Sequence, residues 1–164
     1  MKKLCKRQKV ALVLTILVLC FIWGQSLLDP ESSERESSFV FNLLYPFLYR
    51  IFGEVNATHH LVRKMAHFTE YAALGACLTL FFGYEQKNML QSMNIALLAA
   101  LFDESIQLLS KRGSQIQDVW LDFAGAVTGI LLAAALFWIV VQIKNSISKR
   151  KESADSSSGG VSHD

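Results

Sequence analysis

The chain has 164 residues, 52% of them hydrophobic and 18% charged, with a formal net charge of +2 and a mean hydropathy of +0.31. A charge balance this close to neutral gives no electrostatic basis for nucleic-acid binding. The apolar residues fall into long blocks, which excludes an ordinary soluble domain and points to a membrane protein.

The first block runs from Val10 to about Leu28, behind the basic stretch "MKKLCKRQK". A cleaved signal peptide has to be weighed here, but no A-x-A-like site follows. The residue before Cys20 is Leu19, where a lipoprotein signal has a small residue, so an uncleaved anchor is expected. The next segment opens with the polar and acidic "DPESSERESS" and continues as "FVFNLLYPFLYRIF". Pro46 and Arg50 make the aromatic part too short to span. It is expected to lie at the headgroups, as an interfacial or re-entrant helix or as a simple aromatic anchor.

Three further spans are expected near Met65–Tyr84, Met93–Leu109 and Val119–Ile143. Each reaches or approaches the roughly 20 residues that cross about 30 Å of hydrocarbon. None alternates as a barrel strand does, so all four spans should be helices. The fold class is therefore all-α, a polytopic protein with four transmembrane helices plus the short interfacial element. The membrane domain is placed at residues 1–143, and 144–164 reads as a basic and then disordered tail. Placing both termini inside leaves ten Lys and Arg on the cytoplasmic side and six on the outer side, the bias expected of a multi-pass membrane protein with that orientation. The three cysteines show no CxxC or Cys/His pattern and are read as free thiols.

On this topology the ionisable groups gather at one depth. Lys64, His67, Glu70 and Tyr71 fall in the outer half of the second span; Asp103, Glu104 and Gln107 lie at the outer end of the third. Asp118 and Asp122 occupy the first turns of the fourth. Lys64, His67, Tyr71 and Leu74 step by 3, 4 and 3 and so share a helix face. Gly125 and Gly129 continue the Asp118–Asp122 stripe and would let another helix approach closely, either within this chain or from a partner. A carboxylate at a helix centre costs about 2.5–3.5 kcal/mol on insertion scales, so these acids must be hydrated or paired. A structural ion-pair network and a functional site are the two readings.

In the functional reading, His67, Glu70, Asp103 and Glu104 are the candidate catalytic groups, with His67 as general acid or base oriented by a neighbouring acid. Lys64, Tyr71, Gln107, Arg112, Asp118 and Asp122 are the candidate substrate-binding groups. Arg112 and Lys64 would hold a phosphate or carboxylate, and the two aspartates would orient donors or bind a cation. His67-x-x-Glu70 places a nitrogen and an oxygen ligand near one another, with His59 and His60 upstream. It is not the HExxH of a zinc protease, and no metal or other cofactor is assigned.

"KMAHFTEYAALG", followed by "DESIQLLSKRGSQIQDVWLDFAGAVTG", resembles the VanZ-like family of bacterial membrane proteins. The family pattern maps onto Lys64, His67, Tyr71, Glu104, Gln107, Arg112, Asp118, Val119, Gly125 and Gly129. Asp122 stands where the family usually has Asn, and Ser110 and Lys111 replace a proline that often precedes the Arg. The resemblance implies a link to reduced susceptibility to teicoplanin-type glycopeptide antibiotics. The expected partners are membrane lipids or a lipid-linked cell-wall precursor. The alternatives are a small ion or proton transporter, or a non-catalytic membrane partner of a cell-wall enzyme joined through a helix–helix contact.

Overall fold

The computed structural model describes residues 4–27, 38, 50, 59–109 and 116–158. Four helices make up the described bundle: α1 (Lys6–Leu27), α2 (His59–Phe82), α3 (Gln86–Leu109) and α4 (Ile116–Ser158). All four are long and apolar enough to cross a membrane. The expected interfacial segment at 39–52 lies outside the described residues, apart from the single position Arg50.

The helices run up and down, so α1 and α3 end where α2 and α4 begin. Gln107 meets Ser26 at that end, while at the other Arg7 lies 5.0 Å over the ring of Phe137 and Tyr84 stacks on the same ring at 4.9 Å. The turn between α2 and α3 is short because Gly83 adopts φ +101°, a left-handed cap conformation that glycine takes without a Cβ penalty. Asn88 Nδ2 then donates to the Phe82 carbonyl at 2.8 Å and closes the turn.

The interior is built from small residues. Ala96, Ala99, Ala100 and Ala126 are buried beside Ile22, Leu74, Leu78 and the ring of Tyr71. Lipid tails are as apolar as leucine, so association in a bilayer relies on close packing, which small residues permit. The outer faces carry bulkier apolar side chains, among them Val13, Leu17, Phe21, Leu98, Phe102, Leu132, Leu136 and Trp138. Thr15, Thr79 and Ser92 are buried, yet each hydroxyl donates to the carbonyl four residues earlier in its own helix. They need no partner helix.

The tightest contact joins α2 and α4. A methyl built on Gly125 would strike the Phe68 carbonyl oxygen, one on Gly129 that of Ala72, and one on Gly75 that of Ala126. The glycine stripe expected to admit a helix is thus occupied by α2 of the same chain. α4 also exceeds its expected end near Ile143. It continues to Ser158, so much of the segment expected to be a loose tail is helical. Between Gly129 and Gly159 there is neither glycine nor proline to stop it, and at 1.5 Å per residue its 43 residues reach roughly 64 Å, about twice the hydrocarbon thickness.

Gly129→Ala is expected to lower stability in detergent micelles by about 1–3 kcal/mol, because a carbonyl on a neighbouring helix cannot yield as a side chain does. A methyl added at Gly24 would meet nothing within 4 Å, so Gly24→Ala should leave the unfolding midpoint unchanged or slightly raised. Equal effects of the two substitutions in thermal unfolding would contradict the close-contact account.

Candidate functional site

The polar groups converge at the end of the bundle where α1 and α3 finish and α2 and α4 begin. Each helix reaches the site through its own spacing. α2 presents Lys64, His67, Glu70 and Tyr71 over two turns. α3 presents Asp103, Glu104 and Gln107 in its last two turns, and α4 presents Asp118 and Asp122 one turn apart.

Lys64 Nζ lies 3.2 Å from Asp118 Oδ1, an ion pair that joins α2 to α4 at the more exposed edge of the site. Deeper in, His67 Nδ1 lies 3.9 Å from Asp103 Oδ2 and 4.0 Å from Glu70 Oε2. These separations are ion-pair distances, longer than a hydrogen bond. Gln107 Nε2 donates to Asp103 Oδ2 at 3.0 Å and reaches Ser26 Oγ at 3.4 Å, tying α1 into the site. Trp23 and Phe102 reinforce that tie with an edge-to-face contact at 4.9 Å.

Burial is graded. Lys64 and Asp118 keep partial exposure, whereas Asp103, Asp122 and Tyr71 are at most 1% exposed. Neither carboxylate oxygen of Asp122 has a hydrogen-bond partner among the described residues, and neither does the Tyr71 hydroxyl. The phenol lies within electrostatic reach of Asp103, Asp122, Glu70 and Glu104. Leaving a buried polar group unsatisfied costs about 1–3 kcal/mol, and more when it is charged. The floor of the site is therefore unusually demanding.

Arg63, Lys64, His67, Glu104, Gln107, Asp118 and Asp122 enclose a cavity of about 10 Å³. That is roughly the space one water needs. His67, Asp103 and Asp122 each offer one ligand atom, all within 4.8 Å of one another, so a small ion also fits the donor set.

Of the residues expected from sequence, Lys64, His67, Glu70, Tyr71, Asp103, Glu104, Gln107, Asp118 and Asp122 come together. Gly125 and Gly129 lie one and two turns further along α4, in the helix contact. Arg112 lies outside the described residues. Tyr71, expected among the binding groups, is fully buried. Ser26 is not among the expected residues, although the polar "GQS" that ends the first apolar run is its signal. No sequence spacing announces the grouping of His67, Asp103 and Asp122, because the three belong to different helices.

The fold and this chamber define a polytopic helical membrane protein with a buried ionisable site at one end of its bundle. The chain belongs to the VanZ/LLP1 family, whose family model matches residues 11–140. No curated protein and no solved structure matches it.

Two substitutions should move stability in opposite directions. In chelator-treated protein, Asp122→Asn removes a buried charge and supplies an N–H₂ to the surrounding acids, so it should raise stability by about 1–3 kcal/mol. Gln107→Leu removes a donor from Asp103 and should lower stability by a similar amount, about 1–3 kcal/mol. Thermal unfolding of both variants checks the pair; a destabilised Asp122→Asn would mean that its carboxylate is well satisfied.

Proposed function

We propose that this VanZ/LLP1-family protein acts at the outer face of the bacterial plasma membrane, with both termini cytoplasmic. There it binds or modifies a cell-envelope lipid or lipid-linked cell-wall precursor and so lowers susceptibility to teicoplanin-type glycopeptides. The observation that supports this reading is the meeting of an imidazole, basic side chains and carboxylates from three helices at one end of the bundle. Such groups inside a membrane are expensive, and function is their default explanation.

The chemistry follows from the gradient of burial. Lys64 and Arg63, nearest the mouth, supply positive charge for the phosphate of a lipid headgroup. His67 lies behind them, between Glu70 and Asp103, where it can take or give a proton at Nδ1. Gln107 positions Asp103, and Asp118 holds Lys64 over the cavity. Arg112 remains a further candidate for the headgroup. A cavity of about 10 Å³ is too small for a headgroup, so entry requires the Lys64–Asp118 pair to part.

A proton or ion path is less well supported. A relay needs polar stations across the whole thickness, and α2 from Leu74 to Phe82 and α4 from Gly125 to Ile143 contain no Asp, Glu, Lys, Arg or His. The buried hydroxyls in that half are occupied by their own helices. A partner role through Gly125 and Gly129 loses its surface, since α2 already covers both glycines.

His67→Ala should return teicoplanin susceptibility to that of cells lacking the protein, at equal membrane abundance. Lipid and cell-wall-precursor analysis of cells with and without the wild-type chain distinguishes modification from binding. Unchanged susceptibility of the His67→Ala strain would remove the imidazole from the mechanism.

A further inference from the structure

We propose that His67, Asp103 and Asp122 form the three-ligand core of a site for a divalent transition-metal ion. The inference rests on the same polar chamber as the function proposed above and names what occupies its floor. Each residue comes from a different helix, α2, α3 and α4 in turn, so the site exists only in the assembled bundle.

Geometry is the first support. One atom from each residue lies within 4.8 Å of the others, and His67 Nδ1 stands 3.9 Å from Asp103 Oδ2. Nitrogen and carboxylate ligands sit about 2.0–2.2 Å from such an ion, which puts pairs of ligand atoms roughly 3–4 Å apart. Small side-chain rotations close the remaining gap.

The second support is independent of that spacing. Asp122 is 1% exposed and both its oxygens lack a hydrogen-bond partner among the described residues. The Tyr71 hydroxyl, fully buried and likewise without a hydrogen-bond partner among them, lies amid the same carboxylates. Oxygens left so in a site closed to bulk solvent are the ones a cation would satisfy. Lys64 cannot do so from its place on Asp118, at the more exposed edge.

The charge pattern agrees. Glu70, Asp103, Glu104, Asp118 and Asp122 face one another across three helices, against Lys64, Arg63 and the ionisable His67. A divalent ion among the innermost of them offsets two negative charges with one particle. One imidazole with carboxylates suits Mn²⁺ or Zn²⁺, whereas Mg²⁺ and Ca²⁺ favour oxygen-only shells. Three protein ligands leave a position open toward the cavity, the arrangement of catalytic rather than structural metal sites.

The test uses the full chain purified in detergent through a tag without histidines, stripped with chelator and re-equilibrated separately with Mn²⁺, Zn²⁺ or Mg²⁺. After desalting, wild-type protein should retain about one Mn²⁺ or Zn²⁺ per chain and gain thermal stability. Asp122→Asn and His67→Ala should each weaken retention at least tenfold, while Cys77→Ser retains it. Wild-type protein that holds no more Mn²⁺ or Zn²⁺ than these variants overturns the site, as does retention of about one Mg²⁺ per chain by both wild type and His67→Ala.

Should the variants fail to fold, X-ray absorption of Zn²⁺-loaded wild-type protein decides. Imidazole with oxygen neighbours supports the site, and a sulfur neighbour overturns it. Susceptibility assays separate this inference from the functional one. Ion retention without antibiotic protection sinks the envelope reading alone; His67-dependent protection by a chain that retains no ion sinks the metal alone.

Discussion

The close backbone contact between α2 and α4 is the constraint on which the rest depends. Gly125 faces Phe68, Gly129 faces Ala72, and Gly75 faces Ala126, each against a carbonyl oxygen. Contacts between side chains have slack, since rotamers can shift. Contacts between backbones have almost none. Two turns of such contact fix the register of the helices, and the register sets what meets above it. Lys64 comes within reach of Asp118, and His67 and Tyr71 arrive in the neighbourhood of Asp122. The polar site is positioned by glycines that take no part in it.

Below that level the bundle avoids unmet polar groups. Thr15, Thr79 and Ser92 bond to carbonyls of their own helices, so the interior there behaves as apolar packing. At the site end Asp103, Glu104 and Asp122 are all buried within one neighbourhood, and among the described residues neither oxygen of Asp122 has a hydrogen-bond partner. Replacing buried ionic groups with well-packed apolar residues is often neutral or stabilising. Stability alone therefore gives little reason to collect so many acids there. Strain of this kind is usually found where binding or chemistry uses it.

Much of this is legible in the sequence. The four spans follow from hydropathy blocks, and antiparallel alternation then carries Lys64, His67, Asp103, Asp118 and Asp122 to one end without any knowledge of side-chain placement. What stays hidden depends on relations between helices. Nothing in "GQS" says that Ser26 faces Gln107, and nothing in Gly125 and Gly129 says which helix covers them. The overlong α4 reflects the absence of a stop signal, a weaker mark than the loss of hydropathy after Ile143. Tyr71 shares a helix face with His67, as its spacing indicates, but lies one turn deeper, where only packing reveals that it is sealed. The interfacial segment at 39–52, apart from Arg50, and Arg112 lie outside the described residues.

The vertical order of charge links the two proposals. Basic groups stand at the mouth and acids at the floor, with His67 between them. An anionic headgroup drawn in by Arg63 and Lys64 meets increasing repulsion as it descends, because each lost hydration shell strengthens the field of the acids. Without compensation it would halt at the rim, out of reach of His67. A divalent ion on Asp103 and Asp122 reverses that gradient and gives a phosphate oxygen a reason to go deeper. In this picture the Asp122 carboxylate adds the negative charge that secures the ion. The burial of Asp122 without a hydrogen-bond partner among the described residues and the demanding floor of the site then have a single physical cause.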